Sequence, residues 1–257
     1  MSLLEVDNLS LYFGGIRALN RIHLRVGSGA ITTIIGPNGA GKTTLFNCIT
    51  GLYRPNHGGI TFEEKDLVGL KPHQIASLGI ARTFQNIELF SYMTTLENLL
   101  LGRHLHLKTT IFGGFCFTPW VRRDEYINRD RVEDIIDFLD LQSARDQMVI
   151  NLPYGTRKLI ELGRALALDP KILLLDEPSS GMNIEERRDL TFWLQDILEE
   201  FNITILMVEH DMNLTMAISD WICVLDHGEK ISEGNPGQIM RDPEVIKAYL
   251  GEEKTVA

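Results

Sequence analysis

Apolar positions along this chain fall into two patterns. Short unbroken runs at residues 30–35, 172–175 and 203–208 are dominated by aliphatic and β-branched side chains. Runs of that length without polar alternation predict strands covered on both faces, as in a parallel sheet flanked by helices. Residues 80–84 read as a fourth such run. Elsewhere, residues 44–50, 132–141 and 157–168 place their apolar positions at helical intervals, which predicts amphipathic helices. No run approaches the ~18–20 apolar residues needed to span a bilayer.

Length and composition narrow the picture. The chain has 257 residues, 44% hydrophobic and 23% charged, ordinary values for a globular protein. That length fits one large domain carrying a smaller subdomain. The net charge of −10 argues against a nucleic-acid partner, which calls for a basic face. The opening MSLLEVDNLS has neither the basic nor the apolar segment of a secretory signal. Cys48, Cys116 and Cys223 show no disulfide or metal spacing and read as small buried hydrophobes. Together these features suggest a cytosolic protein. No internal repeat or low-complexity linker is present.

The strongest chemical signal is Gly36-Pro37-Asn38-Gly39-Ala40-Gly41-Lys42-Thr43, a full match to G-x-x-x-x-G-K-[ST]. It lies between the run at 30–35 and the helix that Thr44 opens, the strand–loop–helix setting this motif requires. Glycines let backbone N–H groups curl around a phosphate, and the helix N-terminus adds partial positive charge. Lys42 supplies a cation for the β- and γ-phosphates, and Thr43 a hydroxyl for Mg²⁺.

In open parallel sheets ligands bind beyond the carboxyl ends of the strands, so polar residues that follow the other runs matter. The run at 172–175 ends in Asp176-Glu177. Asp176 suits the Mg²⁺ shell, and Glu177, pointing elsewhere because side chains alternate, is free to orient and deprotonate water. The run at 203–208 leads to His210, a candidate γ-phosphate contact, and the run at 80–84 ends in Gln85, which can hold Mg²⁺ or orient water.

Lys42, Gln85, Asp176, Glu177 and His210, in this order, resemble the ATP-binding cassette (ABC) ATPases over essentially the whole chain. The resemblance implies an α/β P-loop NTPase core with a mostly parallel sheet, an N-terminal antiparallel β-subdomain and an inserted helical subdomain. Residues 1–93 and 160–257 would form the core and about 94–159 the helical insert, all within one domain. ATP and Mg²⁺ are the implied cofactors. Phe13, before Gly14-Gly15, would stack on adenine, with Tyr12 as the alternative and a plain edge-strand aromatic as the bland reading. The family signature, typically Leu-Ser-Gly-Gly-Gln before a helix, corresponds to Leu152-Pro153-Tyr154-Gly155-Thr156. Only Leu152 and Gly155 match; Pro153 removes the serine hydroxyl and Tyr154 replaces a glycine. A simple turn that starts a helix is the competing interpretation. The loop after Glu177 reads Ser180-Gly181-Met182-Asn183 where the family has Ser-Ala-Leu-Asp, and Asn183 keeps a hydrogen-bonding side chain toward a partner subunit.

A narrower resemblance rests on Ala81-Arg82-Thr83-Phe84-Gln85-Asn86, Met93-Thr94-Thr95-Leu96-Glu97-Asn98 and the C-terminal Asp242-Pro243-Glu244-Val245 with Ala248-Tyr249-Leu250-Gly251. These are similar to the ATPases of branched-chain amino acid importers, which also carry a Tyr-Gly signature. The extra stretch after the glutamine loop resembles the larger of their two ATPase subunits. Close relatives move urea or amides.

The implied partners are a second ATPase subunit, identical or different, two integral membrane permease subunits and, indirectly, an external solute-binding protein. The implied place is the cytoplasmic face of the inner membrane, as a peripheral protein. The eroded signature points to a mixed pair whose other member supplies an intact one. The apolar, aromatic stretch at 111–121 would either dock a membrane subunit or pack onto the helical insert. Competing classes are a soluble ABC ATPase of DNA repair or translation, a phosphate-loop kinase, and a regulatory binder that holds ATP without hydrolysing it.

Overall fold

The computed structural model describes residues 2–106 and 119–253. The aromatic stretch at 111–121, apart from backbone at its end, and Cys116 lie outside the described residues.

Strands β1 (Ser2–Phe13) and β2 (Ile16–Gly27) form a long hairpin across Gly14, which takes a φ of +57°. With β4 (His57–Phe62) and the short β5 (Lys65–Asp66) they make an antiparallel sheet of order β2-β1-β4-β5. The second sheet has the order β10-β9-β3-β8-β7-β6. Its members are β3 (Ile31–Ile35), β6 (Ile80–Arg82), β7 (Ile172–Asp176), β8 (Thr204–Val208), β9 (Trp221–Asp226) and β10 (Glu229–Gly234). Strands β9 to β6 are parallel, and β10 is antiparallel at the edge.

Strand periodicity explains why β7 and β8 are apolar throughout. Leu173, Leu175, Ile205 and Met207 enter one core, while Leu174, Leu206 and Val208 enter another. Successive side chains point to opposite faces, and here both faces are covered. The second core joins this sheet to the antiparallel one through Leu4, Ile22 and Phe46, the last from α1 (Lys42–Ile49). The first joins it to the helical region and to α6 (Ile184–Glu200) through Leu190, Leu194 and Ile197. Cys48 and Cys223 are buried and free, and burial pushes each thiol up to about 12.

The remaining helices in the first half are α2 (Pro72–Ser77) and α3 (Thr95–Gly102). Helix α3 starts at a capping box, with Thr94 Oγ1 accepting from the Glu97 N–H and a Glu97 carboxylate oxygen accepting from the Thr94 N–H. Helices α4 (Pro119–Phe138) and α5 (Tyr154–Leu166) pack on α3 through Leu99, Ile135, Leu139 and Ile160. Among the described residues of this helical insert, the only β-type pairing is an isolated bridge between Thr94 and Met148.

Three helices have boundaries that differ from the sequence expectation, α1 by starting at Lys42 rather than at Thr44. Helix α4 reaches back to Pro119, and its first half is too polar for an apolar stripe to reveal it in the sequence. It also stops at Phe138, with Asp140 at a φ of +54° leading Leu141 into the core outside the helix. Helix α5 begins at Tyr154, so Tyr154 and Gly155 belong to its first turn rather than to a preceding loop. The chain ends through α7 (Met212–Ile218), α8 (Pro236–Ile239) and α9 (Pro243–Glu253). No described helix is long and apolar enough to cross a membrane.

Candidate nucleotide site

Neighbouring strands β3, β8, β7 and β6 deliver their carboxyl ends to one edge of the sheet. The loop after β3 carries Gly36 to Gly41 and runs into α1. Gly36 has a φ of +149°, and a Cβ there would sit 2.0 Å from the Leu225 carbonyl oxygen. Only glycine allows that approach. Lys42 is buried, and its Nζ donates to the carbonyls of Gly36 (2.6 Å) and Pro37 (2.8 Å), which curls the loop around the ammonium. A cavity of about 350 Å³ opens over this loop. Residues 38–44 line its floor, Ile16, Arg17 and Ala18 of β2 one wall, and Gln85, Glu177 and His210 the other.

Glu177 is the centre of that second wall. Gln85 Nε2 donates to its Oε2 at 2.9 Å, and His210 Nε2 lies 2.9 Å from its Oε1. Each carboxylate oxygen keeps a second lone pair for a further donor such as water. The Glu177 backbone is left-handed, with a φ of +51°, and its N–H donates to the Val208 carbonyl at 2.9 Å. A non-glycine residue held this way costs about 1–3 kcal/mol, a strain found where a side chain must be aimed.

Asp176 has a different environment. It is 1% exposed, and its Oδ2 accepts from Arg82 Nη2 at 2.7 Å. Its Oδ1 is buried without a hydrogen-bond partner. A buried, unpaired carboxylate oxygen is costly and fits the outer sphere of a hard cation such as Mg²⁺. Thr43, at the start of α1, lines the phosphate-loop cavity, whereas Asp176 lies behind its wall and is not among the lining residues.

Arg82 is a residue that the sequence did not single out. Its guanidinium also bonds Asn47 Oδ1 at 2.7 Å and lies over the rings of Phe46 and Phe84. Strand β6 ends at Arg82. Gln85 therefore stands three residues beyond the strand, on a loop, and not at the strand end expected from the apolar run. That loop is tied to α5: Lys158 Nζ donates to the Gln85 carbonyl at 3.1 Å, and Arg164 Nη1 to the Glu88 carbonyl at 2.5 Å.

Between those two cations, Glu161 is 2% exposed and accepts from the Phe84 N–H at 3.3 Å, while its Oε2 has no partner. Burial raises its carboxyl above the usual range; Lys158, the N–H groups of Phe84 and Glu88, and Arg164 only partly offset this. The folded state therefore binds this proton more readily than the unfolded chain. The associated stability is complete below the unfolded carboxyl pKa and is lost as pH rises through the raised one. Glu161→Gln removes that loss, so its melting temperature should gain on the wild type as pH rises upward from the usual carboxylate range, by roughly 2–4 °C per kcal/mol recovered. Thermal melts of both proteins across that range check it; a difference that does not change with pH would contradict the buried-carboxyl assignment.

The signature segment is built from contacts that local sequence does not reveal. Pro153 precedes α5 and no side chain caps the helix, so its first-turn N–H groups keep donor capacity for an anion. Leu152 is buried in the helical core. The Tyr154 ring lies over Gly181, where a Cβ would come within 2.7 Å of Cε1. The two departures, tyrosine for glycine in the signature and glycine for alanine in the loop, thus complement each other. Gly155 in turn leaves room for the Glu186 carboxylate. Asn183 is exposed, and its Oδ1 accepts from the Glu186 N–H at 3.0 Å and caps α6.

Phe13 is half-exposed and packs edge-on against Tyr53, with centroids 5.2 Å apart. It does not line the phosphate cavity, where Ile16 stands instead. Tyr12 faces away from Phe13, edge-on to His57. A larger cavity of about 580 Å³ lies between the β1–β2 hairpin and the β9–β10 edge, and carries none of the candidate residues.

Comparison with known proteins agrees with this geometry. Residues 19–180 match the ABC transporter family model. Residues 229–255 match the model for the branched-chain amino acid ATP-binding cassette transporter. The chain is 43% identical over 250 residues to the high-affinity branched-chain amino acid transport ATP-binding protein LivG of Salmonella typhimurium, covering 97% of this chain and 98% of that one. It is 42% identical to BraF of Pseudomonas aeruginosa, which has the same description, with the same coverage. A crystal structure of a nucleotide-free ATP-binding cassette from an ABC transporter superposes with a TM-score of 0.84 at 32% identity, over 97% of this chain and 99% of the other. The ADP conformation of an ABC transporter cassette gives the same score and identity. The chain belongs to the ABC transporter family, and within it is similar to the ATP-binding proteins of branched-chain amino acid transport.

Proposed function

We propose that this chain is the ATP-binding and ATP-hydrolysing subunit of an importer for branched-chain or other amino acids. The observation that carries this reading is Glu177, held by Gln85 and His210 at the wall of the phosphate-loop cavity. The relatives' transport descriptions supply the substrate class.

In this reading the phosphates lie on the N–H groups of residues 36–44, and Lys42 Nζ turns from the Gly36 and Pro37 carbonyls toward the β- and γ-oxygens. Thr43, Asp176 and Gln85 would hold Mg²⁺. Mg²⁺ supplies charge neutralisation on the phosphate oxygens. Glu177 accepts a proton from the attacking water on a free carboxylate lone pair, and His210 and Gln85 keep that carboxylate aimed. Positioning and charge do most of the work, as in phosphoryl transfer generally. Phe13, paired with Tyr53, offers the ring for adenine.

Two such subunits face each other, with each ATP between one phosphate loop and the opposite Leu152–Gly155 signature. ATP then favours the closed pair, and hydrolysis releases it. Two membrane permeases read that closure through the loop around Gln85, which places the chain peripherally at the cytoplasmic face of the inner membrane. An external binding protein delivers solute.

The test is transport by the purified membrane complex in proteoliposomes. ATP-dependent accumulation of labelled leucine, lost in the Glu177→Gln complex, is the expected result. Accumulation of urea or a short amide in place of leucine would reassign the solute. ATP-independent accumulation would overturn the motor assignment.

A further inference from the structure

Glu209 follows β8 and stands between Val208 and His210, yet nothing in the hydrolytic scheme above uses it. It is 1% exposed, and its carboxylate is surrounded by backbone donors. Oε1 accepts from the Ser179 N–H at 2.9 Å. Oε2 accepts from the His210 N–H at 2.9 Å and the Asp211 N–H at 3.2 Å. One buried side chain thus ties together two loops that leave neighbouring strands, the loop after Glu177 and the loop after β8.

Both loops bear on the reacting centre. His210 carries the imidazole that contacts Glu177 Oε1. Ser179 opens the segment whose Gly181 supports the Tyr154 ring and whose Asn183 caps α6. Asp211, beside it, holds Arg187 of α6 through a 2.8 Å ion pair. A carboxylate suits this place because both of its oxygens only accept. A glutamine would present an NH₂ to at least one N–H donor and leave that donor unpaired in a dry site.

We propose that Glu209 is a positioning residue for ATP hydrolysis: its carboxylate fixes the His210 backbone and the Ser179 backbone to each other. The imidazole on Glu177 and the 179–183 loop then move as one unit. A change at the signature helix that displaces the Tyr154 ring on Gly181 reaches Glu177 of the same chain by this route. The proposal rests on the ATPase reading, and it assigns Glu209 no contact with nucleotide.

The experiment measures Mg·ATP affinity and single-turnover hydrolysis for the full chain and for Glu177→Gln, His210→Ala, Glu209→Gln and the His210→Ala/Glu209→Gln double variant. Glu209→Gln should lower the hydrolysis rate about tenfold or more, with ATP affinity within about twofold of wild type. Because Glu209 acts through His210, the double variant should be no more than about twofold slower than His210→Ala alone. A Glu209→Gln rate equal to wild type, or losses that multiply in the double variant, would overturn the proposal. If Glu209→Gln does not fold, Glu209→Asp, which keeps the charge but is too short to span both loops, is read by the same criteria. Failure of the ATPase reading looks different: the wild-type chain itself would then release no phosphate from bound ATP.

Discussion

Glu177→Gln is expected to lower ATP hydrolysis by about 10²–10⁴-fold, the range for loss of a general base, while ATP still binds. The structure gives three reasons. The carboxylate has both oxygens oriented, one by Gln85 and one by His210. Its backbone is held in a left-handed conformation that aims the side chain into the cavity. Glutamine has nearly the same shape, so the wall is kept while the proton acceptor is lost. One side-chain contact must also rearrange, because the new NH₂ faces either the Gln85 amide or the His210 ring. Phosphate release by the purified chain, with ATP affinity measured in parallel, checks this. Normal turnover would remove Glu177 from the role of base.

Lys42→Ala is expected to weaken Mg·ATP binding roughly ten- to hundredfold. A hydrogen bond to a charged group contributes about 1.5–3 kcal/mol, and each 1.4 kcal/mol is tenfold in affinity. The substitution has a second consequence. Lys42 Nζ donates to two loop carbonyls, so its loss also loosens the cradle that presents the N–H groups. Nucleotide should therefore raise the melting temperature of the wild type far more than that of the variant, since stabilisation by a ligand scales with the logarithm of its occupancy ratio. Equal affinity in both proteins would contradict a phosphate site at this loop.

These residues were legible in the sequence because their signals are local. A phosphate loop is eight consecutive residues, β7 and β8 announce themselves as largely apolar runs followed by charged residues, and β3 is a β-branched run that leads straight into that loop. The parallel sheet follows from those runs. What the sequence did not show depends on pairs far apart in the chain. Asp176 and Arg82 are joined by a buried ion pair across 94 positions, and β6 ends at Arg82, which leaves Gln85 on a loop. Tyr154 and Gly181 read separately as departures from a family pattern; only their contact shows one accommodating the other. Asn183 caps α6 as well, and the residue three positions on, Glu186, completes a capping box, a signal that is local in the sequence. Glu161 and Glu209 gave no signal at all, because a buried glutamate in a helix or after a strand looks like any surface glutamate until its neighbours are known.

The most direct test of the central claim is a pull-down from detergent-solubilised native membranes, with tagged Glu177→Gln and Mg·ATP. Slow turnover in that variant should hold the closed, assembled state. The expected result is recovery of two polytopic membrane proteins together with a second ATPase chain. Recovery of this chain alone, from the soluble fraction, would contradict its assignment to a transporter.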